Sequence, residues 1–141
     1  MKMKICGVAI TGSTANLAIV FLDENGSAQH YPCQTRKISL DDEKSYQSLA
    51  AFAQAIAAFA HENGVDAFCI KERALTGPMA GGGTTFKIET LIQYCSGKPV
   101  HFVHANTLRK FEKTNLAGLP AGLQAYLHDP YRAGAYHLSL G

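Results

Sequence analysis

Tryptophan is missing from this sequence of 141 residues, proline occurs only five times, and charged residues make up no more than 17% of it. With 47% hydrophobic residues and so little charge, the chain is not a disordered polyelectrolyte and can bury a core, which we expect to be that of one domain over residues 1–141. Neither sign of charge dominates. Thirteen Lys and Arg against eleven Asp and Glu leave a formal charge of +2, so any affinity for a polyanion must come from a local patch. Long hydrophobic runs are lacking too. The alanine-rich segment Leu49 to Ala60 is broken by Gln54 and flanked by charge, short of the ~20 apolar residues that span a bilayer. The run Ile5 to Ile10 stops at Thr11-Gly12-Ser13-Thr14, too early for a secretory signal. A cytoplasmic protein with no membrane partner is the expectation. Cys6, Cys33, Cys69 and Cys95 form no C-x-x-C pair and read as buried thiols rather than zinc ligands or a redox couple.

What is present is a pattern of strands and helices. Lys4 to Ile10 predicts a first strand and Ala15 to Leu22 a second, nearly all apolar one. Asn25-Gly26 then signals a hairpin, because both residues tolerate positive φ, into a third strand over Ala28 to Ile38. Leu49, Phe52, Ile56 and Phe59 keep helical spacing in a helix that begins within Asp41 to Ser45 and stops at Gly64. Val65 to Ile70 reads as a buried strand, Thr84 to Cys95 as a helix, Pro99 to His104 as another strand. Asn106 or Thr107 is expected to cap a basic helix through Lys113, and Pro120 and Pro130 each to open a short helix. Charge is segregated: residues 41–66 hold five acids against Lys44, residues 67–141 eight bases against four acids.

Three meandering strands followed by alternating helices and parallel strands give an α/β, ribonuclease H-like order. The mixed sheet would have five strands, an antiparallel three-strand meander plus two parallel strands, flanked by helices. At residue level the chain resembles the RuvC-type Holliday junction resolvases. Their first strand carries G-I-D-P-G-S, to which Gly7-Val8-Ala9-Ile10-Thr11-Gly12-Ser13 is similar, one residue longer and with Ala9 at the aspartate position. Their fourth strand ends in a glutamate, as Val65 to Glu72 does here. Gly97-Lys98-Pro99-Val100 and the basic Leu108-Arg109-Lys110 look like the next strand and helix. Their last helix opens with D-x-x-D, where this chain has Asp129-Pro130-Tyr131-Arg132. The chain is also similar to a group of short uncharacterised bacterial proteins related to these nucleases, for which the resemblance implies a fold and no settled activity.

The resemblance implies a site of four acids, because two divalent ions about 4 Å apart must be neutralised while one activates water. Here alanine and arginine replace two of them, leaving Glu72 and Asp129. Arg132 could bond either remaining acid and turn the former metal pocket into an ion pair. Our leading expectation is therefore a catalytically degenerate protein that binds DNA, branched DNA or RNA and needs no cofactor. Lys71, Arg73, Lys98, Arg109, Lys110 and Lys113 would contact phosphates. Against this stands a solvated helix face with Glu112 interspersed, and for Glu72 an ordinary strand-end charge. A second reading is a Mg- or Mn-dependent nuclease using Glu72, Asp129 and a third acid such as Glu89. A third is a homodimeric scaffold or interaction protein.

Other candidates carry less. The glycine-rich loop Thr76 to Gly83 lacks the lysine of a phosphate-binding loop and reads as a flexible connection. Gly12-Ser13-Thr14 would need a second domain to close on a nucleotide as in actin-like kinases. His101 and His104 fall on opposite faces of a strand and cannot share an ion, and no nucleophile accompanies His128 and His137.

Overall fold

The computed structural model describes residues 2–73, 82–115 and 118–141. Strand β1 (Ile5–Thr11) pairs antiparallel with β2 (Thr14–Leu22) and parallel with β5 (Ala67–Lys71). Outward from these lie β3 (Ala28–Tyr31) beside β2 and β6 (Val100–Val103) parallel to β5, giving the order β3-β2-β1-β5-β6. Among the described residues the sheet has six strands rather than the expected five. The expected third strand is two pieces, β3 and β4 (Lys37–Ser39), both antiparallel to β2. Pro32 follows the last residue of β3; proline has no N–H for the ladder, so the chain leaves β2 and returns at Lys37. The hairpin turn also differs from expectation. Only Gly26 has positive φ (+80°), and the Asp23 carboxylate accepts from the Asn25 and Ser27 amides at 2.9 Å instead.

Crossover helices supply the parallel pairings. Helix α1 (Tyr46–Glu62) is capped by Ser45, whose Oγ accepts the Ser48 amide, and ends before Gly64 at φ +64°. Helix α2 (Gly83–Cys95) joins β5 to β6. Strand alternation divides the core. Cys6, Val8, Phe68 and Ile70 face Phe52, Ile56, Ile88 and Ile92 of α1 and α2, whereas Ile5, Ala67 and Cys69 face the other helices. Those are α3 (Ala105–Thr114) and α4 (His128–Ser139), the latter entered through a 3₁₀ turn at Ala125–Leu127. Neither Asn106 nor Thr107 caps α3, whose cap is His104, two or three residues earlier; the Asn106 carboxamide is bonded to Arg109. Pro120 opens a turn rather than a helix, its carbonyl accepting from Leu123 at 3.3 Å, while Pro130 does sit in the first turn of α4.

Two glycines bring α4 unusually close to the sheet. A Cβ on Gly7 would fall 1.6 Å from the Pro130 carbonyl oxygen, and one on Gly134 would fall 2.7 Å from Val20 Cγ2. The first turn of α4 is thereby pressed against β1, beside the carboxyl ends of β1 and β5. Cys6 and Cys69 are buried, and burial pushes the Cys69 thiol up to about 12. Cys33 and Cys95 are only half-buried, contrary to the expectation of four buried thiols. Among the described residues, no helix is long and apolar enough to cross a membrane.

Candidate functional site

The parallel strands β1, β5 and β6 end on one edge of the sheet, the edge at which ligands bind in open α/β sheets. Ala9 shares its face of β1 with Gly7 and so lies on the α4 side. Its backbone carbonyl accepts the Asn16 carboxamide at 3.1 Å, and its side chain is a methyl group with no donor for an ion.

Lys71 closes β5 on that same face. Its Nζ donates to Asp129 Oδ2 at 2.7 Å, and Arg132 Nη1 donates to the other carboxylate oxygen at 3.4 Å. Arg132 also reaches Glu112 of α3 at 3.0 Å, so one chain of charges ties β5, α4 and α3 together. Burial acts to raise the Asp129 pKa, but the bond and charge of Lys71, with the charge of Arg132, more than offset it and hold the carboxyl below its ordinary value.

Glu72, the next residue, turns to the opposite face. His104 Nδ1 lies 2.9 Å from its carboxylate, and its charge reaches Glu89 on α2, whose pKa is raised first by burial and then by that neighbour. The two acids expected to share a site thus have different partners, Lys71 and Arg132 for Asp129 and His104 for Glu72. Glu89 stands with Glu72 and away from Asp129.

The fold family implies divalent metal here, and the residues present do not fit it. Ala9 offers no ligand, both oxygens of Asp129 are engaged by cations, and the Glu72 carboxylate is engaged by His104. Among the described residues, no group of three His, Cys, Asp or Glu side chains could hold an ion.

The cations expected to act together are also divided. Arg73 donates from Nη1 to the Ile10 carbonyl at 2.8 Å, and with Lys71, His104 and Arg109 it lines a hollow of about 560 Å³. Lys110 and Lys113 are exposed further along α3. Lys98 precedes β6 and therefore stands at the opposite edge of the sheet. His101 stacks on His137 with ring centroids 4.3 Å apart, His104 turns to Glu72, and His128 bonds the Leu123 carbonyl, so none of the four approaches another as a chelating pair. The Lys71–Asp129 bond was the feature that motif reading missed, although alternation along β5 already put Lys71 on the α4 face. Of the glycine-rich stretch Thr76 to Gly83, only Gly82 and Gly83 are described, as the cap and first residue of α2; the rest lies outside the described residues.

Comparison with solved structures adds the fold. The chain is similar to Thermus thermophilus RuvC with a TM-score of 0.69 at 10% identity, over 96% of this chain and 93% of the other. T. thermophilus RuvC in complex with Holliday junction substrate gives 0.67 at 11% identity, over 96% and 92%. The yeast mitochondrial Holliday junction resolvase Ydc2 gives 0.59 at 6% identity, over 98% and 82%. The fold is the RuvC-like, ribonuclease H-like one. No curated protein matches the chain in sequence. A family model described as "Protein of unknown function (DUF3010)" matches residues 3–138.

Proposed function

This chain belongs to the DUF3010 family of proteins of unknown function, and we propose that it binds nucleic acid, branched or duplex DNA above all, without cutting it. The observation that carries this reading is the Lys71 ammonium 2.7 Å from Asp129 on the face of Ala9. An internal cation fixed to the protein neutralises the acid that a metal would otherwise claim. Hydrolysis through two ions would need several converging carboxylates, and this pocket offers one that is already paired. Arg73 and Arg109 line the hollow that Lys71 also lines, and Lys110 and Lys113 are exposed further along α3, positive charge that suits phosphate contact.

The test is binding and cleavage of a labelled four-way DNA junction beside matched duplex and RNA, over a range of salt, with and without Mn. The expected result is binding whose logarithm falls with log salt at a slope of about −3, for three to four phosphates neutralised, and no metal-dependent product. Metal-dependent cutting that Glu72→Ala abolishes would overturn the reading in favour of a nuclease. No binding to any of the three would favour a scaffold role.

A further inference from the structure

Two hollows open beside the carboxyl end of β5, and Glu72 and Arg73 wall both. The first, of about 560 Å³, is the cationic one that also contains Arg109 and His104. The second, of about 310 Å³, is of different chemistry, with the rings of Phe86 and Phe102 beside the polar ends of Gln93 and Glu89. Phe86, Glu89 and Gln93 recur at helical spacing on one face of α2, and Phe102 comes from the edge strand β6, so rigid elements hold the aromatic surface. Phe86 keeps 39% of its surface exposed, so its ring is not consumed by the core.

Guanidinium groups pair with phosphate, aromatic rings stack on bases, and a carboxamide beside a carboxyl group hydrogen-bonds a base edge. We infer that the two hollows form a seat for one unstacked nucleotide, with its phosphate against Arg73 and Arg109 and its base against Phe86. The inference rests on the nucleic-acid reading above and specifies which part of the ligand enters the protein. The bond from Arg73 to the Ile10 carbonyl holds its guanidinium in place and leaves further N–H groups to donate. The Glu72 carboxylate, which would repel a phosphate, is engaged by His104. Glu89 stands in the second hollow beside Gln93, its pKa raised first by burial and then by the nearby Glu72 charge. Each hollow alone reaches the ~300–1,000 Å³ usual for small-molecule sites.

The same seat would take a nucleotide extruded from a strand or a free nucleoside monophosphate, and the test separates them. The probes are a duplex with a bulged 2-aminopurine, the same duplex with 2-aminopurine paired to thymine, and free 2-aminopurine riboside 5′-monophosphate. The chain has no tryptophan, which leaves the 2-aminopurine fluorescence unobscured. The bulged duplex is expected to bind about tenfold tighter than the paired one, with its fluorescence quenched by stacking. Phe86→Ala should erase both differences while leaving the paired duplex bound as before, and Arg109→Gln should weaken both duplexes. Equal affinity for the two duplexes without quenching would overturn the seat and leave the nucleic-acid reading standing. Quenching of the free monophosphate with no binding of either duplex would keep the seat and overturn that reading. No binding of any probe would overturn both.

Discussion

Lys71 and Glu72 are neighbours in sequence with opposite charge and opposite destinations. Lys71 reaches Asp129 on the α4 side, and Glu72 reaches His104 on the other. Because the Lys71 bond holds the Asp129 pKa below its ordinary value, the ionised carboxylate stabilises the fold above the unfolded-state pKa near 3.8, and that contribution is lost as pH falls through the lower folded-state value. Lys71→Met removes this partner and leaves only the longer Arg132 bond. Urea unfolding at pH 7 should show a loss of about 1 kcal/mol, modest because both side chains are partly in water. The gap between variant and wild type should close as pH drops below 4. A gap that persists undiminished at acid pH would mean that Lys71 acts through packing of its stem instead.

At the scale of elements, the approach of α4 to β1 decides where Asp129 stands. Gly7 lies in β1, in the stretch similar to the first-strand motif of the resolvases, and its structural role is to leave room for the Pro130 carbonyl. Gly7→Ala would drive a methyl group into backbone that cannot rotate away, so we expect a loss of about 3 kcal/mol or more in thermal or urea unfolding. The displacement would lift the first turn of α4 and lengthen the Lys71–Asp129 bond. Gly134→Ala meets a valine methyl group at 2.7 Å rather than backbone and should cost less. The reverse ranking would show that the close approach is set from the Gly134 end.

For the molecule as a whole, charge is arranged by sequence region and then sorted again by the sheet. The eight bases of residues 67–141 do not gather on one surface: Lys71 and Arg132 are spent on Asp129, and Lys98 lies at the opposite edge from Arg73 and Arg109. The effective surface for a polyanion is smaller than the composition suggests. Replacing Arg109 and Lys110 together by Glu should weaken binding to junction, duplex and RNA alike and make the salt slope shallower by about two. Lys98→Glu should change neither. An effect of Lys98 equal to that of the pair would place the contact surface elsewhere.

Hydrophobic periodicity together with turn and cap signals determined most elements and their order, because the period of apolar residues reports which face of a strand or helix is buried. The resemblance to RuvC-type resolvases, also read without coordinates, implies that Ala9 and Arg132 stand at acid positions. The sequence did not place the break at Pro32, the start of α3 behind His104, or the turn at Pro120, where small local preferences compete with packing. Only the tertiary structure decided which charges meet. Lys71 and Asp129 are 58 residues apart, and their 2.7 Å contact exists because Gly7 and Gly134 let a helix settle onto the sheet. Separation along the chain holds no record of that distance, since it is created by packing and not by any local preference.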